Sequence, residues 1–382
     1  EIMTEKVINQ KTYDIAIIGA GPAGSTFARL ISEAKPNLSI ALIDDRQPDW
    51  QKPCGGLLSS DAQKRLAEQK LTLPKSVMAD PQIFAVRTID LEQNLDCSYQ
   101  RGYFNMDRNA FDEWLISLIP NQVSILRQRC KNIQDGEDGF ILQLDSKDEI
   151  KSHYLIGADG AASMVRRTFF PNKKSNNYIA IQQQFKRKDL NRAEYYCVFD
   201  QVTSDSFSWF FNKNEYIVYG GAFPKQNSRA CFEEQKNKFA EKMNSDLSDI
   251  LKTEACQVVF PRKKKEIFFG SDNIFLIGEA AGLISASSFE GISYAIESGK
   301  KLATAFQNVN FEDPIKTENH LEFNAHHKVK NHPEQSLIKT YEKLMRKTKF
   351  KLKLKMYKRD ILCSPFLRKI IMRSKVQALK FR

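Results

Sequence analysis

The apolar positions of this chain fall into two textures. The first is the short unbroken run, found at residues 15–18, 40–43, 154–156 and 274–277, each closed by a glycine or an acid. Such runs predict strands buried on both faces, as in a parallel sheet. The second texture occupies residues 175–265, where apolar and polar positions alternate over 179–185, 195–199, 208–211, 216–220 and 257–260. Alternation predicts an antiparallel sheet. Helical spacing appears after Gly24, from Asp61 (with Ala62, Leu66 and Ala67 as its apolar face), and over 107–116, 231–251 and 292–306. Residues 81–105, 123–126 and 140–144 read as extended. The expected fold class is α/β with an α+β second domain. A discontinuous Rossmann-like domain takes 1–80, 106–174 and 266–310, and an antiparallel-sheet domain takes 81–105 and 175–265. A helical region follows over 311–382, and a chain of 382 residues is long enough for two cores.

The first apolar run ends in Gly19-Ala-Gly21-Pro22-Ala23-Gly24, three glycines spaced G-x-G-x-x-G between a strand and a helix. That arrangement suits a dinucleotide pyrophosphate. The first glycine permits the tight turn, the second lets the backbone approach the phosphates, and the third lets helix and strand pack closely. The helix start adds a partial positive charge. Asp44 closes the second run twenty positions past Gly24, where a ribose-binding carboxylate belongs.

Charge changes the picture at one end only. The net charge is +12, yet residues 337–382 hold sixteen Lys/Arg against two acids, while the rest of the chain carries 42 against 44. Basicity is a property of the tail, and with no recognition module beside it, nucleic acid is not an expected partner. The stretch Phe350-Lys-Leu-Lys-Leu-Lys-Met-Tyr-Lys-Arg359 interleaves apolar and cationic residues. It suits either an anionic membrane surface or a solvated helical cap packed on the body. Seven scattered cysteines without a C-x-x-C argue for a reducing compartment and against a disulfide framework or zinc knuckle. His320, His326, His327 and His332 lack a companion Cys or acid pattern, so no metal is expected. With no apolar run of ~20 residues and no signal-peptide pattern, the expected address is the cytoplasm. The tail adds the option of a peripheral place on the inner face of the cytoplasmic membrane.

Three separated motifs then line up: the glycine turn with Asp44; Gly157-Ala-Asp159-Gly160 followed by Ser163 and Arg166; and Gly278-Glu279-Ala-Ala-Gly282. Further pieces are Lys52-Pro-Cys54-Gly55-Gly56-Leu-Leu-Ser59, Asp107-Arg108-x-x-Phe111-Asp112, Phe207-Ser-Trp209-Phe-Phe211 and Glu290-Gly291-Ile292. The ordered set resembles FAD-dependent oxidoreductases of p-hydroxybenzoate hydroxylase architecture. Within them it is most similar to the geranylgeranyl reductase family, in its bacterial CbrA-type branch. The resemblance implies FAD as cofactor, its ADP half held by Gly19, Gly21, Pro22, Ala23, Gly24, Asp44 and Asp45. Arg108 would reach the pyrophosphate or the flavin chain, and Asp159 would brace the cofactor's middle. Gly278 and Glu279 would meet a ribityl hydroxyl, with Glu279 standing where most of the superfamily has Asp. Gly282, Gly291 and Ile292 would pass the isoalloxazine, with the helix start at Ile292 facing the ring. The loop Cys54-Gly55-Gly56 would lie beside the flavin on the substrate side, with Cys54 as catalytic candidate. Trp209, Phe211 and Phe289 would line the substrate pocket. There the chain departs from the family pattern, with Asn212 for a proline, Ala286 for a proline and Phe289 for a glycine.

The chemistry so implied is reduction of a carbon–carbon double bond in an apolar, isoprenoid-like or lipid-linked substrate. Reduced flavin would supply hydride, and Cys54 or a water would supply the proton. NAD(P)H is the expected transient electron donor, since no second complete G-x-G-x-x-G is present. Two alternatives stay open: a flavin-dependent monooxygenase of an aromatic or polyketide-like substrate, and a membrane-associated flavin-binding protein with little turnover.

Overall fold

The computed structural model describes residues 11–46, 52–186, 194–308 and 333–379. In chain order, the first half comprises β1 (Lys11–Ile18), α1 (Pro22–Ala34), β2 (Ile40–Ile43), β3 (Leu57–Leu58), α2 (Ser60–Ala67), β4 (Ile83–Asp90), β5 (Leu95–Asn105), α3 (Arg108–Ser117), β6 (Ser124–Leu126), β7 (Cys130–Gly136), β8 (Gly139–Leu144), β9 (Glu149–Gly157) and α4 (Met164–Phe169). The second half comprises β10 (Asn177–Lys186), β11 (Glu194–Phe199), β12 (Ser208–Lys213), β13 (Tyr216–Phe223), α5 (Ser228–Met243), β14 (Ile250–Val259), β15 (Gly270–Ser271), β16 (Ile274–Leu276), α6 (Ile292–Gln307), α7 (Pro333–Cys363) and α8 (Pro365–Ser374). The fold is α/β, with two large sheets.

The unbroken apolar runs build the first sheet, ordered β15-β16-β9-β1-β2-β6, with the β7–β8 hairpin attached through β8 to β9. Strands β1, β2, β6, β9 and β16 are parallel. Their registers align Ile18 with Ile43 and with Gly157, and Gly157 with Leu276. The loops that follow these strands therefore leave from one edge, where open α/β sheets bind their ligands. α1 and α6 cover one face. They cross so closely that a Cβ at Gly299 would stand 2.5 Å from the Ala23 carbonyl oxygen, and Phe27 meets Phe306 edge-on at 5.5 Å.

The alternating segments build the second sheet, ordered β14-β10-β13-β12-β11-β4-β5-β3 and antiparallel apart from the β11–β4 pair. Helix α5 packs on it through a cluster of Phe210, Tyr219, Phe232 and Phe239. Burying each such ring is worth roughly 1.5–3 kcal/mol. Leu57 and Leu58, read from sequence as part of the nucleotide half, pair with Asn105 and Phe104 at the end of this sheet.

Helix α5 also ends earlier than its periodicity suggested. Asn244 adopts left-handed backbone (φ 49°) and stops it. Residues 250–256, read partly as helix, form the start of edge strand β14, half of whose positions face solvent. The hairpin strand β7 is mostly polar and gave no apolar pattern to read.

The basic tail is helical over Pro333–Cys363 and Pro365–Ser374. Leu337, Tyr341, Met345, Leu352 and Met356 of α7 are buried, and the Tyr341 hydroxyl donates to the Leu276 carbonyl at 3.3 Å. From α8, the buried Arg368 reaches Asp90 of β4 at 2.7 Å. The four histidines from His320 to His332 lie outside the described residues.

Candidate functional site

At the end of β1, Gly19 takes φ +100°, and a Cβ there would sit 2.5 Å from the Ala158 carbonyl oxygen. A Cβ on Gly24 would collide with the Gly19 carbonyl. Gly21 differs: its backbone is ordinary (φ −67°), and a Cβ would meet nothing within 4 Å. Two glycines of the turn are thus required by the protein's own packing, and the middle one faces open space at the start of α1. That start carries no side-chain cap. Its N–H groups and dipole are available to an anion, which is the fit a pyrophosphate needs.

Asp44 lies at the same edge, buried, but its carboxylate already accepts from Arg46 Nε at 3.0 Å and Arg127 Nη1 at 2.9 Å. Arg46 also donates to Asp112 at 2.8 Å and to the Ala20 carbonyl at 2.9 Å, and Asp112 in turn holds Arg108 Nε at 3.0 Å. A chain of alternating charge therefore runs from Asp44 through Arg46 and Asp112 to Arg108. Sequence reasoning found its two ends and missed Arg46 and Arg127. Arg46 stands two residues after Asp44, but its reach to Asp112 depends on how α3 packs and leaves no local signal. Asp45 is exposed, 3.8 Å from Arg129.

Beside β1, the end of β9 brings Asp159. Its Oδ2 accepts the N–H groups of Met164 at 2.6 Å and Val165 at 3.3 Å, capping α4, while Oδ1 is buried with no partner. Burial pushes this carboxyl above its usual range. A cap explains one oxygen; the other is available to a ligand hydroxyl or amide. Gly160 next to it (φ +73°) also faces open space. The buried Arg166 ties α4 to the next loop, donating to the carbonyls of Ala280 at 2.9 Å and Glu266 at 2.7 Å.

Past β16, Gly278 turns the chain at φ +58° and Glu279 follows. Glu279 pairs with Lys52 at 2.6 Å through one oxygen and accepts the Val259 N–H at 2.8 Å through the other, so it joins the Cys54 loop and β14 to the first sheet. Burial pushes the Lys52 ammonium down, but the charge of Glu279 and its hydrogen bond lift it above its ordinary value overall. Gly282 (φ +78°) is required by the Glu266 carbonyl, 2.6 Å from where a Cβ would be. Gly291 is the N-cap of α6, and Ile292 is its first residue. The Glu290 carboxylate already accepts the Ser293 N–H at 2.7 Å and its hydroxyl at 2.6 Å. Part of the positive end of α6 is therefore neutralised from within.

On the facing sheet, Phe211 lies against Gly55, and its neighbour on the same strand, Lys213, enters beneath the Cys54 loop. Lys213 donates to the carbonyls of Gly55 at 2.8 Å and Met106 at 2.7 Å. Gly56 (φ +62°) leaves the room this ammonium needs. Burial pushes Lys213 down to about 8. Cys54 interacts with Arg108 and accepts the Gly56 N–H at 3.4 Å. Cys54, Arg108 and Lys213 thus converge, a meeting between residues 54, 108 and 213 that no local pattern announces. Trp209, two positions before Phe211, donates from its indole to Gln182 Oε1 at 3.1 Å. Phe289 stacks on Phe260 at 5.1 Å and meets Phe207 at 5.3 Å. It holds φ +47°, a conformation that costs a non-glycine residue roughly 1–3 kcal/mol. The two aromatic neighbours offset that cost. Residues 47–51, which lead into the Cys54 loop, lie outside the described residues.

The chain has relatives among known proteins. The family model described as lycopene cyclase protein matches residues 14–249. Protein CbrA of an Escherichia coli O6:H1 strain is 39% identical over 373 residues, covering 95% of this chain and 94% of that protein. A geranylgeranyl bacteriochlorophyll reductase-like protein of Thermoplasma acidophilum superposes with TM-score 0.75 at 19% identity, covering 95% of this chain and 91% of that one. PqsL of Pseudomonas aeruginosa, described as a probable FAD-dependent monooxygenase, superposes with TM-score 0.65 at 14% identity, covering 95% and 99%. The two solved structures share the fold; the CbrA relative, at 39% over nearly the whole length, shares the family. The chain belongs to the family described by the lycopene cyclase protein model, and to the CbrA-type branch of the FAD-dependent oxidoreductases.

Proposed function

We propose that the protein is a reductase of carbon–carbon double bonds in an apolar, isoprenoid-like or lipid-linked substrate, with NAD(P)H as transient electron donor. The observation that carries this reading is the aromatic wall: Phe211 against Gly55 of the Cys54 loop, and the Phe207, Phe289 and Phe260 rings packed on one another. Ring faces of this kind favour apolar surface over a heavily hydroxylated substrate, and the cations that meet them, Lys213 over Phe211 and Arg262 and Arg359 over Phe260, are held by the chain itself. The likeness to a protein described as geranylgeranyl bacteriochlorophyll reductase-like supports the same substrate class.

When bound, FAD supplies the hydride; the chain supplies position, exclusion of water and a proton. Gly21 and the start of α1 would receive the pyrophosphate, Asp44 and Asp45 the ribose side, and Arg108 the flavin chain. Asp159 would offer its free buried oxygen to the cofactor's middle. The Lys52–Glu279 pair ties the Cys54 loop to the turn after β16. Cys54, beside Arg108 and next to the Gly55 against which Phe211 lies, would serve as proton donor, directly or through water.

Anaerobic turnover of chemically reduced holoprotein with a polyprenyl lipid extract tests this. A product heavier by two hydrogens is expected. A product that forms only with oxygen present and carries an added oxygen atom identifies a monooxygenase instead.

A further inference from the structure

Helix α7 is apolar on two opposite faces. At 3.6 residues per turn, Tyr341, Met345, Leu352 and Met356 share the face turned to the body, and all four are buried. Phe350, Leu354, Tyr357 and Ile361 follow one another at intervals of four, three and four. They form a second stripe on the far side, within an arc of ~60°. Phe350 is 62% exposed, Leu354 51%, Tyr357 57% and Ile361 43%. α8 follows α7 directly in the chain and exposes Phe366, Ile370 and Ile371, with Val376 just beyond it. Nine of the fifteen large hydrophobic residues exposed among the described residues fall between Phe350 and Val376. This is one contiguous region of the chain, not a scatter over the surface.

Cations line both edges of the stripe. Lys347 and Lys358 lie on one side of the α7 stripe, and Arg346 and Lys353 on the other. Lys351 and Lys349 stand among them in the sequence but turn to the body, Lys351 to Asp61 at 2.7 Å and Lys349 over the Phe269 ring. Asp360 is the one acid between Lys343 and Lys375. A second copy of this face would meet it with like charge. An anionic surface with an apolar interior meets both of its features.

We infer that the outer face of α7 and α8 docks on an anionic lipid bilayer, with Phe350, Leu354, Tyr357, Ile361, Phe366 and Ile370 entering the acyl boundary and the flanking lysines meeting headgroups. The same helix touches the aromatic wall from its inner side. The Arg359 guanidinium lies over the Phe260 ring at 5.3 Å, and Phe260 stacks on Phe289. Bilayer and wall are thus separated by the thickness of one helix, ~10 Å. Docking rests on the outer face alone, so its failure leaves the proposed reaction untouched.

Flotation of the full chain with vesicles of phosphatidylcholine alone, or enriched in phosphatidylglycerol, at low and high salt, tests this. Binding is expected on the phosphatidylglycerol-rich vesicles, weakened by salt and weak on phosphatidylcholine alone. The Phe350→Ser, Leu354→Ser, Tyr357→Ser, Ile361→Ser combination is expected to lower the partition coefficient by roughly tenfold or more. Lys347→Glu, Lys353→Glu, Lys358→Glu is expected to lower it on anionic vesicles and to flatten the salt dependence. All these side chains are exposed or partly exposed, so both variants are expected to keep the wild-type melting temperature. Failure of the full chain to float with anionic vesicles overturns the inference, as does equal flotation of the serine variant. A dimer of the wild-type chain that the serine substitutions dissociate also overturns it, because the face is then an interface between copies.

Discussion

The Lys213 ammonium sits 2.8 Å from the carbonyl oxygen of Gly55 and holds the Cys54 loop against the second sheet. Its burial lowers the folded-state pKa to about 8, against 10.5 for an ordinary lysine. Between those values the unfolded chain binds a proton that the folded chain has released, so stability rises with pH across that window. Below about 8 both states are protonated, and the cost of burying the charge is fully present. Lys213→Met is expected to remove this pH dependence. Urea unfolding at the two ends of the window measures it: the wild type gains up to ~3 kcal/mol relative to the variant as pH rises.

Gly21 and Gly24 have opposite surroundings. Gly21→Val points its side chain into open space on an ordinary backbone, so the variant is expected to lose FAD and to melt with the FAD-free wild type. Gly24→Val collides with the Gly19 carbonyl and is expected to unfold the nucleotide half. Thermal melts beside the flavin content of the purified proteins separate the two outcomes.

The buried pair between Arg368 and Asp90 ties the basic tail to the second sheet. Arg368→Met leaves the Asp90 charge in the core, which costs roughly 3–5 kcal/mol when a buried pair is broken from one side. The double variant Arg368→Met, Asp90→Asn removes the stranded charge and is expected to recover much of the loss. Chemical denaturation of the two variants checks both statements.

Cys54→Ala is expected to retain FAD and to slow product formation by roughly 10²-fold, with Cys54→Ser intermediate. Anaerobic single turnovers on a polyprenyl substrate, beside the flavin content of each variant, distinguish a proton donor from a merely small residue before a glycine turn.

Much of the nucleotide half was legible because its signals are local. Unbroken apolar runs closed by Gly19, Asp44, Gly157 and Gly278 mark four parallel strand ends, and each end carries its own motif. Arg46 and Lys213 were not legible. Arg46 works by reaching across to Asp112 on α3, and Lys213 by meeting a carbonyl more than a hundred residues away; both contacts exist only once the sheets are paired. Glu279 was read as a ligand acid, yet it also bridges Lys52 and the Val259 N–H, a structural role that sequence spacing does not encode. The tail was read as either membrane-facing or packed on the body. α7 has one apolar face on the body and another turned outward, and the interleaved lysines blurred that pattern.

The most direct test of the central claim is the flavin stoichiometry of the purified chain, before and after reconstitution with FAD, with Gly21→Val as control. The account predicts a yellow protein holding equimolar FAD, and a folded but colourless control. A wild-type chain that is folded, colourless and unable to take up FAD would contradict it.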